Sequence, residues 1–114
     1  MSDFKPLDQF DFHSTLEETA GLSLVFFSTE NCASCHYWEN LLGQYKGQHP
    51  SINLFGVDAA RDQALTEEFE IFHMPAIFLY VDGKFQSGIQ CEAKLDVLHD
   101  EIQKVLHAPA QELP

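Results

Sequence analysis

Leu22-Ser23-Leu24-Val25-Phe26-Phe27-Ser28, followed after three residues by Cys32-Ala33-Ser34-Cys35, is the stretch whose reading decides the fold. The run from Leu22 to Ser28 is apolar and aromatic and has strand length, which predicts a buried strand. Beyond it, Trp38, Leu41, Leu42 and Tyr45 recur at i, i+3, i+4 and i+7, one apolar face of a helix. Gly47 and Pro50 are expected to stop that helix. The two cysteines therefore sit at a strand-to-helix junction, on the first helical turn. A helix N-terminus presents unpaired N–H groups and the positive end of the helix dipole. Both favour a thiolate, the nucleophile of disulfide exchange. The two-residue gap lets Cys35 approach Cys32 and resolve a mixed disulfide within the chain. Cys32, nearer solvent and the N–H groups, is the expected attacker, and Cys35 the expected resolving thiol.

On the N-terminal side, one short strand is expected near Leu7 to Phe10. Ser14-Thr15-Leu16-Glu17 has capping-box spacing and predicts a short helix to about Ala20, ended by Gly21. On the C-terminal side, Ile52 to Val57 reads as a second strand ended by Asp58. Asp58 to about Glu70 favours a helix, with Ala64, Leu65 and Phe69 facing inward. Met74-Pro75 interrupts, and Ala76 to Val81 is a third strand. Asp82-Gly83 is a hairpin dipeptide, with Lys84 to Gln90 as the returning strand. Leu95, Leu98, Ile102 and Val105 or Leu106 trace the apolar face of a last helix. Strand-helix-strand units imply parallel pairing with right-handed crossovers, and the hairpin adds an antiparallel strand. The fold class is α/β, a central mixed sheet with helices on both faces. The 114 residues fit one domain, with a core of about 14–107 and a flexible tail over 108–114.

Composition narrows the function. Eighteen acidic residues stand against six basic ones, giving a net charge of −12. Such a surface repels nucleic-acid phosphates and anionic membranes, so neither is an expected partner. It fits plain solubility or the selection of basic partners. No segment approaches the roughly 20 apolar residues of a membrane span. The N-terminus lacks a basic-then-apolar pattern, so a cytoplasmic location is expected. Three cysteines are too few for a disulfide scaffold, and a close pair in a reducing compartment points to catalysis or metal. A zinc site could be assembled from Cys32, Cys35, His36 and a distant histidine, but a second Cys pair is missing. Cys32-Ala33-Ser34-Cys35-His36 also fits a haem-attachment pattern, with His36 and Met74 as axial ligands. The buried strand before the motif, the strand-helix alternation and the lack of an export signal count against it. No metal or cofactor is expected. Cys91 reads as a semi-buried thiol at the N-cap of the last helix, with a regulatory thiol or intermolecular disulfide as the alternative.

Four landmarks in order resemble the thioredoxin family: the strand Leu22 to Ser28, Cys32-Ala33-Ser34-Cys35, Met74-Pro75 before a strand, and Val81-Asp82-Gly83-Lys84. The resemblance covers roughly residues 14 to 107 and implies the thioredoxin fold. It implies a cis peptide bond before Pro75, lying beside the dithiol, and a Met74 backbone to which a substrate peptide pairs. Three departures stand out. Typical members carry Trp-Cys-Gly-Pro-Cys, and this chain has Asn31 before Cys32 and Ala33-Ser34 between the cysteines. Their buried Asp and the Lys of the next strand correspond to Phe26 and Leu54 here. His73 is a candidate for part of the missing proton handling, and Glu30 and His36 are weaker modulators. The resemblance implies a protein disulfide oxidoreductase serving cell redox homeostasis. It would act as a monomer on disulfide or thiol partner proteins, with thioredoxin reductase or glutathione as donor. The rival reading is a thioredoxin-like adaptor or assembly chaperone in which redox turnover is secondary or absent.

Overall fold

A computed structural model describes residues 3–114. The elements are β1 (Lys5–Leu7), α1 (Phe12–Glu17), β2 (Leu22–Ser28), α2 (Ala33–Gln48), β3 (Asn53–Asp58), α3 (Gln63–Glu68), β4 (Ala76–Val81), β5 (Lys84–Ile89) and α4 (Leu95–Leu106). The sheet order is β1-β3-β2-β4-β5. β1 and β2 both pair parallel with β3, β4 pairs antiparallel with β2, and β5 pairs antiparallel with β4. This is the mixed sheet that the sequence predicts.

β2 lies at the centre, and Ser23 to Phe27 are all buried. Side chains alternate across a strand, so the run serves two cores. Leu24 and Phe26 face one core with Leu42 and Tyr45 of α2, Leu54 of β3, Leu79 of β4, and Leu98 and Ile102 of α4. Val25 and Phe27 face the other with Phe12 and Leu16 of α1, Leu65 of α3, and Phe78 and Tyr80 of β4. A hydrogen bond of 2.9 Å between the Tyr45 hydroxyl and Nδ1 of His99 ties α2 to α4.

Several local expectations are corrected. The first strand ends at Leu7, because the chain turns at Asp8. Asp8 Oδ1 accepts from the N–H groups of Phe10 (2.8 Å) and Asp11 (3.0 Å), and Asp11 Oδ1 accepts from Asp8 N–H (2.8 Å). Those backbone donors hold the Asp8 carboxyl below its ordinary range. This reciprocal turn starts α1 at Phe12, two residues before Ser14, whose hydroxyl donates to the Asp11 carbonyl instead of capping. α2 runs through Gly47 to Gln48, since tertiary burial of its apolar face outweighs one exposed glycine. α3 is only six residues long: Leu65 and Phe69 are buried as expected, whereas Ala64 is exposed. Asp58 takes up the start of that segment as a turn, accepting from Ala60 and Arg61 N–H. Lys94, not Cys91, is the N-cap of α4.

The hairpin between β4 and β5 has positive φ at both turn residues, 50° at Asp82 and 81° at Gly83, as a primed two-residue turn requires. Asp82 Oδ1 accepts from Gly21 N–H at 2.7 Å, which fixes the hairpin against the entry to β2. A Cβ on Gly83 would lie 2.7 Å from the Leu16 carbonyl oxygen, whereas one on Gly47 would meet nothing within 4 Å. Gly83→Ala should therefore lower stability by about 1–3 kcal/mol through strain and the clash. Gly47→Ala should raise it by about 0.5–1 kcal/mol. Urea melts of the two variants check the opposite signs.

Candidate active site

The dithiol stands where β2 hands over to α2. Cys32 is the N-cap of α2, with extended backbone (φ −116°, ψ 108°), and its Sγ accepts from Cys35 N–H at 3.1 Å. The Ser34 hydroxyl lies 3.4 Å from the same sulfur. Cys32 and Cys35 are joined in a disulfide with their Cα atoms 5.1 Å apart. The two sulfurs differ in access: Cys35 is 2% exposed within the α2–α4 core, whereas Cys32 is partly exposed at its margin. Hydrogen-bond donors aimed at Cys32 Sγ favour negative charge there, and a helix N-terminus adds to this. The arrangement gives one reachable sulfur and one shielded partner, which is what sequential disulfide exchange needs.

The opposite wall comes from the segment before β4. The Met74-Pro75 peptide bond is cis. Phe27 of β2 pairs with Ala76 of β4, so Pro75 enters the sheet beside the strand end from which the dithiol loop departs. Met74 and Cys32 both pack against the core that contains Cys35. His73 is exposed and, among the described residues, makes no hydrogen bond or ion pair. His36 donates from Nε2 to the Glu30 carbonyl oxygen at 3.0 Å, folding the first turn of α2 back onto the loop that precedes the motif. The Glu30 side chain is exposed. Phe26 (3% exposed) and Leu54 (2%) are buried in the same apolar core as Cys35. The core around the inner sulfur is thus hydrocarbon at Phe26 and Leu54. Among the described residues, no group of three or more His, Cys, Asp or Glu is placed to hold a metal ion.

Three features of the site escaped sequence reading. Ser34 acts as a polar neighbour of Cys32 Sγ, a contact available to any hydroxyl at that motif position. Tyr37 is 59% exposed one turn into α2, and its hydroxyl donates to the Ala93 carbonyl at 3.4 Å. Phe72, beside His73-Met74-Pro75, is 86% exposed. Exposed rings thus stand on both segments that carry the site. Burial pushes the Cys91 thiol up, and Glu101 and Glu92 add to that.

Solved structures place this geometry among known folds. Thioredoxin f2 of Chlamydomonas reinhardtii superposes with a TM-score of 0.77 at 23% identity, covering 95% of this chain and 99% of that one. Oxidized mitochondrial thioredoxin 3 of Saccharomyces cerevisiae gives 0.75 at 19%, covering 89% and 94%. The zinc-bound form of human ERp44 gives 0.74 at 18%, covering 90% of this chain, which spans 30% of that longer one. At these identities the likeness speaks for the fold. No curated protein matches the chain at a significant level. A family model described as Thioredoxin matches residues 3–104. With that match and a Cys-x-x-Cys pair closed as a disulfide at a helix start, the chain belongs to the thioredoxin family and carries the equipment of a thiol-disulfide oxidoreductase.

Proposed function

We propose that the chain reduces or exchanges disulfides in partner proteins, with Cys32 as attacking and Cys35 as resolving thiol. The observation that carries this reading is the asymmetry of the pair: a reachable Cys32 sulfur held by N–H and hydroxyl groups at a helix start, and a buried Cys35 sulfur behind it. The Cys32 thiolate attacks one sulfur of a client disulfide, forming a mixed disulfide and releasing the other client sulfur as thiolate. The Cys35 thiolate then attacks Cys32, releasing the second client thiol. Two electrons pass to the client, two protons complete its thiols, and the chain is left with the Cys32–Cys35 disulfide. A dithiol or glutathione-type donor, such as a thioredoxin reductase, resets it. The Met74 backbone beside Pro75 docks an extended client segment, in keeping with the edge it offers near the dithiol. His36 and Glu30 act on the motif as a positioning pair, through the hydrogen bond between them. His73 is the candidate proton carrier at the mouth. The chain works as a cytoplasmic monomer on this reading.

A second reading is favoured by Phe26 and Leu54. With Phe26 and Leu54 in place of an acid and a base, no buried group at those positions takes the proton that Cys35 must lose to attack Cys32, and it passes to solvent, to the departing client thiolate or to His73 at the mouth. An adaptor or assembly chaperone that holds clients through Cys32 without turnover would tolerate that.

Insulin reduction with dithiothreitol as donor separates the two. Wild type should turn over, Cys32→Ser should fall to the uncatalysed rate, and Cys35→Ser should accumulate a mixed disulfide. Absence of turnover in wild type together with stable client capture through Cys32 would establish the adaptor instead. Cys91 should stand apart from this chemistry. The non-reduced protein should take one alkyl label, at Cys91, slowly at pH 7 and faster as pH rises past the ordinary thiol range. The folded chain holds the Cys91 proton to higher pH than the unfolded chain does. Its contribution to stability is therefore complete below the unfolded thiol pKa and declines as pH rises above it. Mass spectrometry of the labelled protein and alkaline urea melts of Cys91→Ser against wild type check both.

A further inference from the structure

β5 is an edge of the sheet, and an open edge offers unpaired N–H and C=O groups to any extended chain. Here the segment after α4 occupies part of that edge. Gln111 N–H donates to the Gln86 carbonyl at 2.8 Å, and Gly88 N–H donates to Gln111 Oε1 at 3.3 Å. Gln86 reaches back, its side-chain amide donating to the carbonyls of Val105 (2.8 Å) and Ala108 (3.0 Å). The segment expected to be a loose tail is thus tied to β5 at three points, although every residue from His107 to Pro114 stays exposed. Three residues beyond Gln111, Pro114 helps to wall a groove of about 420 Å³. Ile71, Phe72, His73 and Pro75 line the same groove, and Gly88 leaves its β5 side open. The groove therefore joins the strapped edge to the cis-proline. The 86% exposure of Phe72 on its rim leaves an aromatic ring for a partner to cover.

We propose that residues 108–114 form a built-in competitor for client docking. The segment straps the β5 edge and takes up one end of the groove beside Pro75. An extended apolar client segment displaces it, pairs with Gln86 and Gly88, and occupies the groove up to Pro75. The strap is suited to displacement because it is held by a few hydrogen bonds and buries none of its residues. This rests on the oxidoreductase reading for its consequence, but not for the strap itself.

Two variants test it: a chain ending at Ala108, and Gln111→Pro, which keeps the length but removes both Gln111 contacts with β5. With insulin as substrate, kcat/KM should rise about fivefold or more in both, the expected result of losing one or two net hydrogen bonds. With the small disulfide 5,5′-dithiobis(2-nitrobenzoate), which needs no groove, the rate should not change. An unchanged insulin rate, or an equal rise with both substrates, would overturn the proposal. If neither substrate is reduced by any form, the redox reading fails and the strap is still read by amide exchange. The Gln111 amide should be protected in wild type and lose protection when carboxymethylated insulin B chain is added. Free exchange before addition, or protection that persists at saturating B chain, would overturn it.

Discussion

The burial of β2 on both faces is the constraint on which the rest of the structure depends. Its side chains alternate between two cores, and its backbone is paired on both sides, by β3 and by β4. A strand so held cannot slip by one residue without turning Leu24 and Phe26 to the wrong core. That fixed end sets where the loop to Cys32 begins, and the same register sets where Pro75 enters. The dithiol loop and the cis-proline lie at the same end of the sheet because both are tethered to the same few rungs of the ladder, Phe27 opposite Ala76. Rigid elements thus position a site whose chemistry is confined to one turn of helix.

That turn supplies the asymmetry the chemistry needs. Cys32 meets solvent, Cys35 N–H and the Ser34 hydroxyl, while Cys35 meets hydrocarbon. Filling the wall behind Cys35 with Phe26 and Leu54 has two effects that pull apart. It adds apolar burial of the kind worth about 1.5–3 kcal/mol per large side chain. It also leaves the inner sulfur with no buried acid or base at those two positions to manage its proton. Tyr37 and Phe72 leave exposed rings on the two segments that carry Cys35 and Pro75.

The sequence was most legible where one physical cause dominated. β2 and β4 were read to the residue, because a long apolar run buried on both faces has few alternative conformations. The placement of Cys32 and Cys35 at a helix start followed from their position after β2, whereas the cis bond at Pro75 was implied by the resemblance to thioredoxins. The reading failed where two local causes competed. Ser14 has capping-box spacing, yet the reciprocal Asp8–Asp11 turn upstream satisfies more backbone donors and starts α1 earlier. Ala64 sits beside Leu65 in sequence, but a six-residue helix has room for only one buried row. The contacts of 108–114 with β5 left no sequence signal, because one backbone pair and the side-chain amides of Gln86 and Gln111 make them, and two isolated glutamines form no periodic pattern. Exposure of Phe72 was equally hidden, since periodicity cannot tell a buried loop ring from a bare one.

The most direct test of the account is the equilibrium potential of the Cys32–Cys35 couple in glutathione buffers, read by alkylation and mass spectrometry. The account predicts one reversible two-electron transition between about −270 and −120 mV, the span of thioredoxin-like exchange catalysts. It should be unchanged in Cys91→Ser and absent in Cys32→Ser. A potential below about −300 mV, the range of structural disulfides, would contradict it, as would a transition that survives the loss of Cys32.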